Sequence, residues 1–165
     1  MDVFEAIRAR RSIRKYTPEA IPERKLQMIL EAARLAPSAS NRQPWRFVLV
    51  QSKKLKKTLA QAANDQMFLA DAAVIVVAVG DPEVSAKWHE KDTMIALEHM
   101  ALAATALGYG TCWIGAFKEG TVKNLLHIPE RVKVVALMPI GVPDEKPAAR
   151  TRREPSEISF REKWE

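Results

Sequence analysis

Eight consecutive apolar residues, Ala72 to Val79, constrain this chain more than any other feature. A strand with one wet face alternates apolar and polar residues, whereas a strand covered on both faces reads as an unbroken apolar run. The run falls far short of the ~20 residues that a membrane-crossing helix needs. Gly80-Asp81-Pro82 then ends it with turn-forming residues. The chain therefore calls for a sheet with this strand in its middle and a covering layer on each side.

The covering layers are legible as helices. Asp2 with Glu5 three residues on marks a helix start, and Phe4 and Ile7 give that helix one apolar face through about Arg10. Pro22 suits a first helical position, and Leu26, Ile29, Leu30 and Ala33 recur at helical spacing until Pro37. Trp45 to Gln51 reads as a strand. Ser52 then caps a helix that turns Leu55, Leu59 and Ala62 inward and carries Lys53, Lys54, Lys56 and Lys57 around its first turn. From about Asp92 to Leu107, Ile95, Met100, Leu102, Ala103 and Leu107 make a largely apolar helix closed by Gly108, suited to a buried spine. Thr111 to Phe117 is a candidate strand, Thr121 to His127 a short helix, and Val132 to Ile140 a strand whose Pro139 asks for a bulge or an edge. Residues 142–157 are charged, irregular and suited to an extended arm. With too few strand-helix-strand units for a wound parallel sheet, the pattern predicts an α+β fold, a mixed sheet flanked by helices. A length of 165 residues, with 47% apolar, suits one domain spanning 1–165 with a real core.

Charge and cysteine usage narrow the chemistry. The 26 Lys and Arg exceed the 20 Asp and Glu, and the formal +6 favours anionic partners: nucleic acid, an acidic surface or a phosphorylated small molecule. The single cysteine, Cys112, excludes an intrachain disulfide framework and any multi-cysteine metal site within one subunit, and it reads as a packed, inert thiol. The first residues lack the basic and apolar regions of a secretory signal, so a cytoplasmic location with no membrane contact is expected. No Walker phosphate loop, Gly-x-Ser-x-Gly elbow or paired-histidine zinc helix occurs, and His89, His99 and His127 are scattered. Gly108-Tyr109-Gly110 lacks the third glycine of a dinucleotide fingerprint, since position 113 is Trp.

Four segments could bind something. Arg10-Arg11-Ser12-Ile13-Arg14-Lys15-Tyr16 offers guanidinium forks and a hydroxyl suited to a phosphate monoester, although a solvated basic turn is the plainer reading. Pro37-Ser38-Ala39-Ser40-Asn41-Arg42-Gln43-Pro44-Trp45 is a donor-rich loop held between prolines; an ordinary helix-to-strand connection has the same composition. In Thr111-Cys112-Trp113-Ile114-Gly115-Ala116 a glycine after a strand exposes backbone to a flat ring, or simply packs. Arg150-Thr151-Arg152-Arg153 is either a basic tail or a return of guanidinium groups to the phosphate site begun by Arg10.

These segments, in this order, resemble the nitroreductase family of FMN-dependent oxidoreductases. Its chains carry Arg-Arg-Ser-x-Arg-x-Tyr/Phe, then Pro-Ser-x-x-Asn-x-Gln-Pro-Trp, then Gly-x-Gly-x-Cys-Trp-Ile-Gly, and the resemblance covers nearly the whole chain. It implies a mainly antiparallel sheet in an intertwined homodimer with FMN at the subunit interface. Arg10, Arg11 and Ser12 would hold the phosphate and ribityl chain, and Arg14 would face the N1/O2 edge, where a cation stabilises the anionic reduced ring. Pro37, Ser38, Ala39, Ser40, Asn41 and Gln43 would contact the FMN of the partner subunit. Trp113, Ile114 and Gly115 would lie beside the ring, the Gly115 amide close to N5, and Arg150 and Arg152 would close on the phosphate.

The resemblance further implies a ping-pong transfer of two electrons from NADH or NADPH to a nitroaromatic, quinone or similar flat acceptor, with no side chain needed as nucleophile or acid. The arm 142–165 would reach the partner subunit, and Glu157-Ile158-Ser159-Phe160 would cross as a strand to the partner's sheet. Two departures are visible: Asp65 and Phe68 stand where larger members set an Asn and a Lys against the ring, and Val84 to Asp92 replaces an inserted helical excursion. The same residues would serve a narrower reaction, reductive dehalogenation or flavin fragmentation, or FMN binding without turnover. The lysine run and net charge also admit a nucleic-acid-binding protein, although the aromatic residues do not interleave with the basic ones as a single-strand platform requires.

Overall fold

A computed structural model describes residues 1–164. Four strands, β1 (Trp45–Val50), β2 (Val74–Gly80), β3 (Gly110–Thr111) and β4 (Lys133–Gly141), form a sheet in the order β1-β2-β4-β3. Every strand pair is antiparallel; the one parallel link is an isolated bridge between Ser12 and Thr111.

The apolar run does what its pattern demands. All seven residues of β2 are buried. Val74, Val76 and Ala78 pack into one core cluster with α2 (Glu23–Arg34) and α4 (His89–Ala106). Ile75, Val77 and Val79 pack into the other with α3 (Lys53–Ala62) and α5 (Glu119–Leu126). The pleat sends successive side chains to opposite faces, so each face of β2 meets its own helical layer. α4 is the spine of the first layer: Thr93, Ala96, Leu97, Met100, Ala101 and Ala104 are buried along one stripe.

Pro139 lies inside the sheet, on an interior strand. The Leu137 N–H points toward the β3 side, where it donates to the Ile114 carbonyl at 3.0 Å. By alternation, the N–H that Pro139 lacks would face the gap between the Thr111–Ile140 and Ile114–Leu137 pairs, so no ladder bond is lost. The expected bulge lies lower in β4: Ala78 pairs Ala136 while Val79 pairs Val134, leaving Val135 as the extra residue.

α1 (Val3–Ala9) starts on the expected capping box, Asp2 accepting the Glu5 N–H at 2.8 Å and Glu5 accepting the Asp2 N–H at 2.7 Å. Its apolar face is not covered, because only Ala6 is buried while Phe4 and Ile7 are exposed. The strand expected over Thr111–Phe117 shortens to Gly110–Thr111 plus the single Ile114–Leu137 bridge. The expected terminal strand at 157–160 is also corrected. Pro155–Ile158 form a short helix, α6, since Pro155 suits its first turn and Glu154 and Glu157 make a second capping box. No helix among the described residues is long and apolar enough to cross a membrane.

Candidate functional site

Three of the four singled-out segments meet at the β3 edge of the sheet. The chain leaves α1 at Arg10 in an extended conformation, and the Ile13 N–H donates to the Thr111 carbonyl at 2.9 Å, beside the Ser12–Thr111 bridge. The first segment is thereby laid against the third. The arm then doubles back along the first segment. The Thr17 N–H donates to Val142 O and the Asp144 N–H to Lys15 O, each at 2.9 Å, and the Arg14 N–H donates to the Glu145 carboxylate.

These contacts fold Arg150 and Arg152 back onto the start of the chain. Together with Arg10, Arg11, Ser12, Arg14 and Glu145 they line a pocket of about 290 Å³. Among the described residues, none of Arg10, Arg14, Arg150 and Arg152 forms a salt bridge. The pocket's one carboxylate, Glu145, accepts the Arg14 main-chain N–H and forms no salt bridge with these guanidinium groups among the described residues, so four cations outweigh one anion and suit a multiply charged ligand; guanidinium forks match phosphate oxygens.

Two of the arginines also bond nearby carbonyls: Arg152 Nη1 donates to Arg150 O at 3.3 Å and Thr151 O at 3.0 Å, and Arg11 does so at the end of α1. Arg11 Nη1 donates to the carbonyls of Arg8 at 2.6 Å and Arg10 at 2.9 Å, closing the helix end. Arg11 also borders a second cavity of about 330 Å³ shared with Tyr109, Gly110 and Lys146.

The third segment divides by role. Cys112 is buried, and burial pushes its thiol pKa up, partly offset by Arg14, Ser12 and Arg10. Trp113 is half-buried, its Nε1–H donating to Glu98 Oε2 at 3.2 Å. Ile114 is buried, and both its main-chain groups bond Leu137, so it anchors the segment and leaves no free donor. Gly115 is exposed with open space where a Cβ would point, which leaves its backbone accessible to a flat ligand. Phe68 packs behind the first segment, against the Ile13, Tyr16 and Ala72 cluster. Tyr16 donates its hydroxyl to the Ile13 carbonyl at 2.7 Å, and burial raises the phenol pKa well above its ordinary value.

The second segment lies elsewhere. It precedes β1, on the opposite edge of the sheet, and Trp45 pairs Gly80 at the end where Lys133 begins β4; β3 pairs Gly141 at the other end. Three strand spacings and about six residues of rise separate the two corners by about 14 Å across and about 20 Å along the strands. Pro37, Ser38 and Ala39 line their own cavity of about 280 Å³ with Trp88, Lys91, Asp92 and Ile95. Ser40, Asn41 and Gln43, all exposed, hold positive φ of 50°, 53° and 51°.

Three contacts were not legible in the sequence. Glu145 and Asp92 meet their partners across 131 and 53 residues, which no local pattern reveals. Lys56 is buried and donates to the Ala72 carbonyl, so the lysine run at the start of α3 is not one solvated face.

A helix-covered antiparallel sheet with a guanidinium-lined pocket at one corner and a strained, donor-rich loop at the other defines an α+β protein whose pocket is cationic enough to suit an anion. The comparisons make this class specific. The Nitroreductase family model matches residues 7–73 and 65–142. A nitroreductase family protein from Clostridium novyi NT superposes with a TM-score of 0.83 and 41% identity, covering 90% of this chain and 89% of that one. The NADPH:FMN oxidoreductase of Vibrio harveyi, solved with NAD+, reaches a TM-score of 0.92 at 27% identity over 99% of this chain and 78% of its own. A Methanothermobacter thermautotrophicus protein provisionally called an NADH dehydrogenase/NAD(P)H nitroreductase is 35% identical over 172 residues, 99% of this chain and 88% of that protein. The chain belongs to the nitroreductase family.

Proposed function

We propose that this chain is an NAD(P)H-dependent FMN oxidoreductase that works as a homodimer and delivers two electrons to a nitroaromatic, quinone or similar flat acceptor in a ping-pong cycle. Family membership and relatives such as the Vibrio harveyi NADPH:FMN oxidoreductase support the FMN and NAD(P)H assignment. The observation that carries the reading within this chain is the pocket where Arg10, Ser12, Arg14, Arg150 and Arg152 converge around a single carboxylate, Glu145, which is taken by the Arg14 main-chain N–H and, among the described residues, forms no salt bridge with the guanidinium groups. Its charge and donor set fit a phosphate monoester, and the open backbone at Gly115 fits a planar ring.

In this reading Arg10, Ser12, Arg150 and Arg152 grip the phosphate, and Arg14 supplies positive charge at the ring edge. Gly115 lets the backbone approach the ring face without a side chain between them. Bound FMN would supply two-electron chemistry at its N5 atom; the chain supplies position and electrostatics. The corner-to-corner separation of the Ser38–Gln43 loop supports a second copy as its place of action, with the arm 142–165 reaching across.

Protein purified without added flavin should be yellow, with FMN near one per subunit released on denaturation and identified by mass, and should oxidise NADH or NADPH when a quinone is present. Arg10→Ala and Arg14→Ala should each weaken FMN binding by about 10- to 100-fold, the worth of one hydrogen bond to a charged group. A colourless protein that takes up no added FMN, or arginine variants that bind FMN as tightly as wild type, would overturn the assignment.

A further inference from the structure

Asp92, in the first turn of α4, is 2% exposed. Its two oxygens share one donor, the Ala39 N–H, at 3.3 and 3.2 Å, and among the described residues no other hydrogen bond or salt bridge reaches the carboxylate. A negative charge near a helix N-terminus is favourable, but Glu90 already provides one from the surface without losing its water. Removing a carboxylate from water for a single donor is costly, and a well-packed apolar residue would often serve stability better. The burial of Asp92 is therefore explained by what it holds.

What it holds is strained. Ser40, Asn41 and Gln43 sit in the left-handed region without being glycine, and such backbone persists only where its surroundings over-determine it. Inside the loop, Ser38 Oγ accepts the Gln43 N–H at 2.9 Å and the Gln43 side chain donates to Asn41 O at 3.1 Å. Those bonds shape the loop but do not fasten it. The bond from Ala39 to Asp92 fastens it to α4, whose neighbouring Thr93, Ala96 and Leu97 are fully buried.

We propose that Asp92 is a positioning residue: through the Ala39 amide its buried carboxylate holds the Ser38–Gln43 loop on α4, and so aims the loop's exposed donors at the flavin of a second copy. The proposal rests on the FMN reading above and adds to it the element that orients the loop. It commits the Ala39 N–H to Asp92, leaving Ser40, Asn41 and Gln43 to face the ligand.

The test combines Asp92→Ala, Asp92→Asn and Ala39→Pro in the full chain. Proline removes the donor at the first position of the 3-10 turn Ala39–Asn41, and Ser38 already holds the extended backbone that precedes proline comfortably (φ −144°, ψ 159°). FMN affinity and hydrogen exchange of the 37–44 segment at saturating FMN are the readouts, with Arg10→Ala as the reference for the phosphate pocket. Asp92→Ala and Ala39→Pro should each weaken FMN binding by about tenfold and speed exchange in 37–44 ahead of β1 and β2, and their combination should add little. Asp92→Asn keeps an acceptor oxygen and should restore most of both properties.

If Arg10→Ala weakens FMN binding while Asp92→Ala and Ala39→Pro leave it intact, the positioning role falls and the FMN reading stands, whatever happens to loop exchange. If Arg10→Ala also binds FMN like wild type, the FMN contacts themselves are misassigned. Should Asp92→Ala fail to fold, Ala39→Pro and Asp92→Asn decide the matter: both indistinguishable from wild type in affinity and loop exchange would overturn the proposal.

Discussion

Gly110→Ala tests how the first and third segments are locked together. A Cβ at position 110 would lie 2.6 Å from Ile13 Cγ1, 2.8 Å from its Cβ and 2.9 Å from its Cγ2. Carbon atoms rest at about 3.5–4.0 Å, so Ile13 must retreat by about 1 Å. Rotation about χ1 gives no relief, because the Ile13 Cβ is itself too close. Backbone movement is opposed on both sides, since Ile13 N–H bonds Thr111 O at 2.9 Å and its carbonyl accepts the Tyr16 hydroxyl at 2.7 Å.

Overpacking of this kind costs about 1–3 kcal/mol, and one weakened hydrogen bond adds about 1 kcal/mol. For a chain of this size a loss of about 2–4 kcal/mol lowers Tm by about 4–16 °C. Because Ser12 and Arg14 flank Ile13, the same movement should cost about tenfold in FMN affinity, the worth of about 1.4 kcal/mol. Thermal unfolding of the flavin-free chain and a fluorescence titration with FMN measure the two effects. Gly120→Ala, with open space around its Cβ in α5, is the control and should be neutral or stabilising by up to about 1 kcal/mol. A Gly110→Ala protein with unchanged Tm and unchanged FMN affinity would refute the packing argument.

Two further outcomes follow from buried and paired groups. Burial pushes the Glu119 carboxyl up, but the Lys133 ammonium at 2.6 Å, the Val134 N–H at 3.0 Å and Lys123 more than offset it and hold the pKa below its ordinary 4.5. That stability is present above pH 4.5 and fades as pH falls through the lowered value, so Glu119→Gln should be less stable than wild type at pH 7 and converge with it at acid pH in urea titrations. Equal gaps at both pH values would contradict this. Cys112, buried and with its thiol pKa raised, should react with a thiol reagent at least about 100-fold more slowly in the native protein than in denaturant; rapid native labelling would contradict its burial.

Some elements were legible because their cause is local. The Asp2–Glu5 box starts α1 from side chains three residues apart, and helical spacing in 26–33 marks the buried face of α2. Pro155 between Glu154 and Glu157 was an equally local helix signal, and it prevailed over the strand that the family likeness implied for 157–160. The shortening of β3 was not legible, since it depends on where β4 offers a partner.

The same division runs through the site. Residue types in the first and fourth segments admitted a phosphate site beside the plainer readings of a basic turn and a basic tail, and their meeting depends on the arm pairing with residues 14–17 across more than a hundred residues. Arg11 and Ile114 carry the motif's residue types, but Arg11 Nη1 is spent on α1, its buried Nε has no partner among the described residues, and both main-chain groups of Ile114 are spent on β4. The sequence by itself determined that β2 would be buried on both faces, because an unbroken apolar run admits no wet side. Only the tertiary structure decided which arginines stay free for an anion and that Asp92 is buried against Ala39, because charge pairing and desolvation depend on neighbours in space.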